Sequence, residues 1–272
     1  MQNSENSEKS RGILVFAHNT HVNYVCIADQ TSRLAAHVLG LPVTLVTDAD
    51  AVPKFAYDCI IRTQNTGENT RTMDGHSVPW RNHDRYQAYE LSPYAETLLI
   101  DTDYLILDQN LLKLFGTTGD YRLMHHSITP TSAMPESMGE TSLPFVWATV
   151  LMFRKSDRSQ LLFSLWGRIQ RNYEYYRALF NVRERNYRND YALAMANIIL
   201  NGYDINESQG IPGRMLTIEE SISGMKLCDD FLRIYHADRA VVTPYQNIHI
   251  MDKTYLQSRD FSQIVEAMCE SA

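Results

Sequence analysis

The run Gly12-Ile-Leu-Val-Phe-Ala17 constrains the fold more than any other stretch of the chain. Its positions are apolar in succession, with no polar alternation, so a strand made from it has to be covered on both faces. A helical pattern follows over residues 22–39 and is stopped by Gly40 and Pro42. Residues 43–47 then read as a second buried strand and residues 59–61 as a shorter third. Strand, helix, strand at this spacing predicts a βαβ unit, and hence an α/β fold whose mostly parallel central sheet is flanked by helices.

At 272 residues the chain suits one domain. We expect a polar, disordered tail over residues 1–11 and one folded domain over 12–272. The tail has no apolar stretch of the kind that marks a secretory signal. The longest largely apolar run, residues 145–153, is far short of the roughly 20 residues that span a bilayer, so no membrane insertion is expected. Four cysteines lie far apart with no zinc-type spacing, which suits reduced thiols and a cytoplasmic protein. A net charge of −7 gives no global field for nucleic acid or anionic lipid.

Further along, residues 63–79 read as a long polar loop and 82–91 as a helix. A strand over 97–100 runs into Asp101-Thr102-Asp103 and resumes at 104–107, after which Asp108 can cap a short helix. Residues 117–144 hold three prolines and read as an insertion or lid carrying His125 and His126. A strand over 145–154 precedes one long helix, capped at Ser156 or Asp157 and ending near Phe180. Asn189 and Asp190 open another helix to about Leu200, and Thr217 with Glu220 signals a short one. Strands around Ile234, Val241 and 248–251 and a helix over 260–268 complete the chain.

Asp101 and Asp103 carry the strongest chemical signal, because they sit at the end of a run that otherwise reads as buried strand. Burying unpaired charge is costly, so both need partners. In extended backbone, residues i and i+2 project to one side, and two carboxylates aimed at one point suit a hard divalent cation, Mg2+ or Mn2+, completed by diphosphate oxygens. The alternative is a pair of turn aspartates that cap adjacent backbone. No Ser-His-Asp arrangement, GxGxxG or P-loop accompanies them.

This layout resembles the GT-A fold of nucleotide-sugar glycosyltransferases, glycogenin-like and related enzymes, over roughly residues 12–253. The similarity is greatest at residues 97–115, around the Asp-x-Asp motif. It implies a GT-A-like single domain with a nucleotide-binding half at 12–115 and an acceptor half at 116–272. It also implies transfer of a hexosyl or pentosyl group from a nucleoside-diphosphate sugar, UDP-linked, with Mn2+ or Mg2+. In this resemblance Asp103 ligates the metal and Asp101 contacts ribose or metal. The loop with Ala17 and Asn19 meets the base, and Asp48 reads ribose or base unless it is a turn residue. Arg85 touches the diphosphate, Lys253 meets it from the C-terminal side, and His249 closes the metal site, with His236 as the other candidate. Asp190 is the candidate catalytic carboxylate facing donor sugar or acceptor, or else an ordinary helix cap. Trp147-Ala148-Thr149 departs from the family, which often has Asn and a small residue there.

From Arg168 to Arg188 there are six arginines against two glutamates, interleaved with Tyr173, Tyr175, Tyr176 and Tyr187. This segment carries +4 and leaves −11 for the rest. Arginines that grip phosphate and aromatics that stack on bases suit a nucleic-acid acceptor, such as a modified base in DNA; a glycan can also use the tyrosines. Alternatively the tyrosines are core and the guanidinium groups are solvated. A metal-dependent nucleotidyltransferase and a non-catalytic nucleotide-sugar-binding module are the competing functions.

Overall fold

The computed structural model describes residues 9–48, 50–63, 70–73, 76–79, 82–138, 141, 143–204, 209–236 and 238–270. Strand β1 (Lys9–Ala17) starts three residues ahead of the expected Gly12, and residues 1–8 of the expected tail lie outside the described residues. Helix α1 (Tyr24–Leu39) ends at Gly40, whose φ of 63° is the left-handed conformation that glycine adopts without strain. Strands β2 (Val43–Asp48) and β3 (Cys59–Thr63) follow as expected.

The polar segment expected as a loop contains a hairpin, β4 (Thr70–Met73) with β5 (His76–Pro79). A 3-10 turn (Asn82–Gln87) and α2 (Ala88–Leu91) lead to β6 (Tyr94–Ile100) and, past the two aspartates, β7 (Tyr104–Leu105). After a 3-10 turn at Asn110–Leu114, the expected lid holds β8 (Tyr121–Met124) and β9 (Ser127–Ile128), so it belongs to the sheets. Its prolines fall outside those short strands.

Next come β10 (Trp147–Arg154), α3 (Asp157–Arg171), α4 (Tyr173–Leu179) and α5 (Asn189–Leu200). The single long helix expected there is broken at Asn172, which has φ −128° and ψ 35° and donates its side-chain amide to the Arg168 carbonyl. The last quarter contains β11 (Met215–Ile218), β12 (Gly224–Leu227), β13 (Phe231–Tyr235), β14 (Ala240–Pro244), β15 (Ile248–Ile250), α6 (Lys253–Leu256) and α7 (Arg259–Glu270). Thr217, expected to cap a helix, is instead a buried strand residue whose hydroxyl meets Ser127 Oγ at 2.8 Å.

The main sheet has the order β3-β2-β1-β6-β10-β8, with β3, β2, β1 and β6 parallel and β10 antiparallel to both neighbours. Residues Ile13 to Ala17 in its centre are buried, as their unbroken apolar character requires. A second sheet, β7-β15-β11-β9, continues beyond the point where β6 ends, and β12-β13-β14 forms a small antiparallel sheet. Helix α1 packs on α7, while α3 packs on α5. The molecule is thus one mixed α/β unit with a mostly parallel sheet flanked by helices. No helix among the described residues is long and apolar enough to cross a membrane. The four cysteines are free thiols.

Candidate functional site

Strands β1, β2 and β6 run in parallel, so their C-terminal ends deliver His18 and Asn19, Asp48, and Asp101 to one edge of the sheet. Asp48 Oδ2 accepts from the Asn19 backbone N–H at 2.8 Å, and Asn19 Oδ1 accepts from the Val25 N–H at 3.0 Å. The carboxylate therefore fixes the loop after β1, and Asn19 ties that loop to the start of α1. Ala17 is fully buried and its carbonyl accepts from Thr47 Oγ1 at 2.6 Å, so it forms the floor of this corner. His18, within the loop expected to meet the base, lies beside it with Nε2 2.9 Å from Thr63 Oγ1.

At the end of β6 the backbone turns, with the Tyr104 N–H donating to the Asp101 carbonyl at 3.2 Å. The extended geometry that would aim both carboxylates at one point is therefore replaced by a turn, and each finds a separate cation. Asp101 pairs with Arg85, which is 1 % exposed and reaches the Thr149 carbonyl at 3.5 Å. Burial lowers the Arg85 guanidinium to about 10, against the opposing pull of the Asp103 and Asp190 carboxylates.

Asp103 is 7 % exposed and pairs with Lys253, while His249 Nε2 lies 3.3 Å from the same oxygen, Oδ2. The antiparallel pairing of β7 with β15 places His249 opposite Tyr104, next to Asp103 in the chain, and the Ile250 N–H donates to the Asp103 carbonyl at 2.9 Å. Lys253 arrives on the first turn of α6, which Asp252 caps through the Thr254 and Tyr255 N–H groups. Burial alone would raise the Asp103 carboxyl, but the Lys253 ammonium and the His249 ring hold it well below the usual carboxylate range. His236 sits elsewhere, with Nδ1 3.2 Å from the Ser221 carbonyl and 3.5 Å from Glu220.

Between these groups lies a cavity of about 410 Å3. Asp101, His249 and Asp190 all line it, together with Arg188 and Glu219. Asp190 is held from both sides: Oδ1 accepts from the Ala148 N–H at 2.9 Å and Oδ2 pairs with Arg188 at 2.8 Å. The antiparallel pairing of β10 with β6 sets the start of β10 beside Asp101, and the Asp101 N–H donates to the Thr149 carbonyl at 2.8 Å. Glu219 and the aromatic residues Phe145 and Tyr191 were not foreseen as site residues; each reaches the cavity through the topology, and no local motif marks it.

Among the described residues, no three His, Cys, Asp or Glu side chains gather as a ready metal cage. The donor chemistry does fit a hard divalent cation, since Asp103 and His249 already meet at one oxygen. Nε2 is the His249 nitrogen that faces Asp103 and would join it on a cation; Nδ1, directed away from Asp103, is buried with no hydrogen-bond partner among the described residues.

In the arginine-rich segment, Tyr173 is buried and donates to the Glu184 carbonyl at 3.2 Å, and Tyr187 accepts from Trp166 Nε1 at 2.9 Å. These two tyrosines build the interior and form no stacking row. Arg177 pairs with Glu174, Arg171 lies over the Tyr86 ring, and Tyr175 is 65 % exposed.

No family model and no curated protein matches the sequence. Solved structures do resemble it: the galactosyltransferase LgtC, determined with donor and acceptor sugar analogs, superposes with a TM-score of 0.53 at 12 % identity, covering 95 % of each chain. The chain has the GT-A fold. The glycosyltransferase GlyE of Streptococcus pneumoniae TIGR4 is also similar, with a TM-score of 0.40 at 12 % identity, over 76 % of this chain and 46 % of GlyE. The chain thus spans about half the length of GlyE. In this GT-A fold the Asn19–Asp48 corner, the Asp103 cluster and the cavity follow one another along the C-terminal edge of the sheet.

Proposed function

We propose that the chain is a glycosyltransferase that moves a hexosyl or pentosyl group from a nucleoside-diphosphate sugar, with UDP the expected carrier, to an acceptor hydroxyl. The observation that carries this reading is the buried Asp103–Lys253–His249 cluster placed between the Asn19–Asp48 corner and a carboxylate-lined cavity. Asn19 and Asp48 face the base and ribose in this arrangement. Lys253 would meet the charge of a departing diphosphate, with the fully buried Arg85 acting from behind through Asp101, and fixed cations in a dry site stabilise such charge strongly. Asp103 and His249 would hold Mn2+ or Mg2+, which would supply Lewis-acid stabilisation of the leaving group, while Asp101 stays with Arg85. Asp190, locked between Ala148 and Arg188, is positioned to orient a sugar or acceptor hydroxyl.

The acceptor we favour is a glycan. The exposed Arg168, Arg171 and Arg185 support a second reading, an anionic acceptor such as nucleic acid held outside the cavity, and a gel-shift salt series tests it. Absence of binding at low salt removes that second reading. For the donor, thermal melts with UDP, Mn2+ and both together are decisive. The pair raises Tm and Asp103→Ala abolishes the rise; no shift with any nucleotide, with or without metal, overturns the proposal.

A further inference from the structure

The aspartates of the 410 Å3 cavity are already paired, Asp101 with Arg85 and Asp190 with Arg188 and the Ala148 N–H. What the cavity offers at its mouth is different. Met134 and Pro135, from the stretch between β9 and β10, and Met251, directly after β15, all line it. Met251 is 45 % exposed although the three residues before it are buried, Pro135 is exposed, and Met134 is half-buried. A single exposed methionine is ordinary on a protein surface, but two methionines and a proline on the lip of one cavity form a shared apolar contact.

The backbone holds these side chains in place. The Met251 N–H donates to the Ile218 carbonyl at 2.9 Å, and the Met134 N–H donates to the Ser127 carbonyl at 3.0 Å. The Phe145 N–H donates to the Glu136 carbonyl at 2.8 Å, so residues 134–136 are tied to β9 on one side and to the run into β10 on the other. Methionine is unbranched and polarisable, and adapts to apolar guests of differing shape. The charged members of the lip limit what can lie there. Arg188 is committed to Asp190, whereas Glu219 is exposed and follows Ile218, whose carbonyl receives the Met251 N–H. A carboxylate therefore stands beside the apolar contact and disfavours an anionic neighbour.

We infer that the acceptor is a glycoside whose uncharged apolar aglycone, an alkyl chain or an aryl ring, lies on Met134, Pro135 and Met251 while its accepting hydroxyl reaches toward Asp190. The inference rests on the glycosyl-transfer reading and adds the chemical class of the acceptor's other end. An unsubstituted sugar would leave the methionines in water, and an acidic aglycone would meet Glu219.

Spectra of the full chain labelled with 13C-methyl methionine, in the presence of UDP and Mg2+, test this directly. The chain has 11 methionines, and Met→Leu variants assign Met134 and Met251 together with the fully buried Met152 and Met195, which report on the fold. The titrants are methyl, octyl and phenyl glucosides and galactosides, with octyl kept below its micelle-forming concentration and octyl glucuronide as the anionic comparator. The octyl and phenyl arms separate a chain from a ring. An octyl or phenyl glycoside shifts Met134 and Met251 saturably and leaves Met152 and Met195 in place. It binds about tenfold more tightly than the methyl glycoside of the same sugar, the factor expected from burying about two methylene groups. Met134→Ser and Met251→Ser each reduce that preference, and the double variant abolishes it. Equal binding of methyl, octyl and phenyl glycosides, a preference that survives the double variant, octyl glucuronide binding as tightly as octyl glucoside, or no glycoside binding while UDP still binds, overturns the inference and leaves the transferase reading intact. Saturable binding at these methionines by a protein that takes no nucleotide supports the apolar lip and refutes the transferase reading.

Discussion

Replacing Lys253 with Met isolates the electrostatics of the candidate site. The side chains of Asp103 and Lys253 are 9 % and 22 % exposed, so both charges are largely out of water. Removing one partner of a buried pair costs about 3–5 kcal/mol, because the remaining charge is left uncompensated. His249 stays 3.3 Å from Asp103 Oδ2 and can share the load, which puts Lys253→Met at the low end, about 3 kcal/mol. For a chain of this size that is a fall in Tm of roughly 5 °C. The double variant Lys253→Met with Asp103→Asn recovers most of the loss, since no buried carboxylate then lacks its cation. The sign with pH follows from the lowered Asp103 carboxyl: its contribution is fully present above about pH 4, where the unfolded carboxyl has ionised, and is lost as pH falls toward its folded value. The stability gap between wild type and Lys253→Met therefore narrows in acid. Mn2+ alone raises the Tm of the variant more than that of wild type, because a divalent cation can take over the missing charge. Urea and thermal melts from pH 3 to pH 8 measure all of this. A loss below about 0.5 kcal/mol, or additivity with Asp103→Asn, refutes the reasoning.

Two further outcomes follow from packing and hydrogen bonding. Asp190→Asn keeps an amide oxygen for the Ala148 N–H but loses the charge shared with Arg188, so it lowers stability by only about 1 kcal/mol, read from melts, and slows transfer about 100-fold, read from turnover. Gly12→Ala drives a methyl group into the ring of Tyr94, which is fully buried and bonded through its hydroxyl to Thr44 at 2.8 Å; the overpacking costs about 1–3 kcal/mol in a urea titration.

The βαβ opening was legible because both of its signals are local: a consecutive apolar run and a helix stopped by glycine. Asp101 and Asp103 were legible because charge at the end of a buried run has few structural excuses. Their opposite partners were not. Arg85 comes from 16 residues before Asp101, and Lys253 from 150 residues after Asp103, and only the pairing of β7 with β15 brings the second to its place. The resemblance singled out both residues, whereas the turn at Asp101 that separates the two carboxylates has no sequence signal of its own. Thr217 shows the reverse error. Its spacing to Glu220 fits a capping box, but β9 and β15 on either side of β11 satisfy its backbone in a sheet. Phe145 and Tyr191 were hidden for a similar reason: Phe145 opens a run that reads as plain core, and Tyr191 comes from a helix 46 residues further on.

The central claim is that this edge of the sheet takes a nucleoside-diphosphate sugar and breaks its bond to the sugar. Incubating the protein with a panel of UDP-, GDP-, ADP- and CDP-linked sugars and Mn2+, without acceptor, and measuring released nucleotide tests it most directly. The account predicts slow release of nucleoside diphosphate from one or a few donors, UDP-linked among them, and its loss in Asp103→Ala. Release of monophosphate and sugar phosphate instead, or no release from any donor by a folded protein, would contradict it.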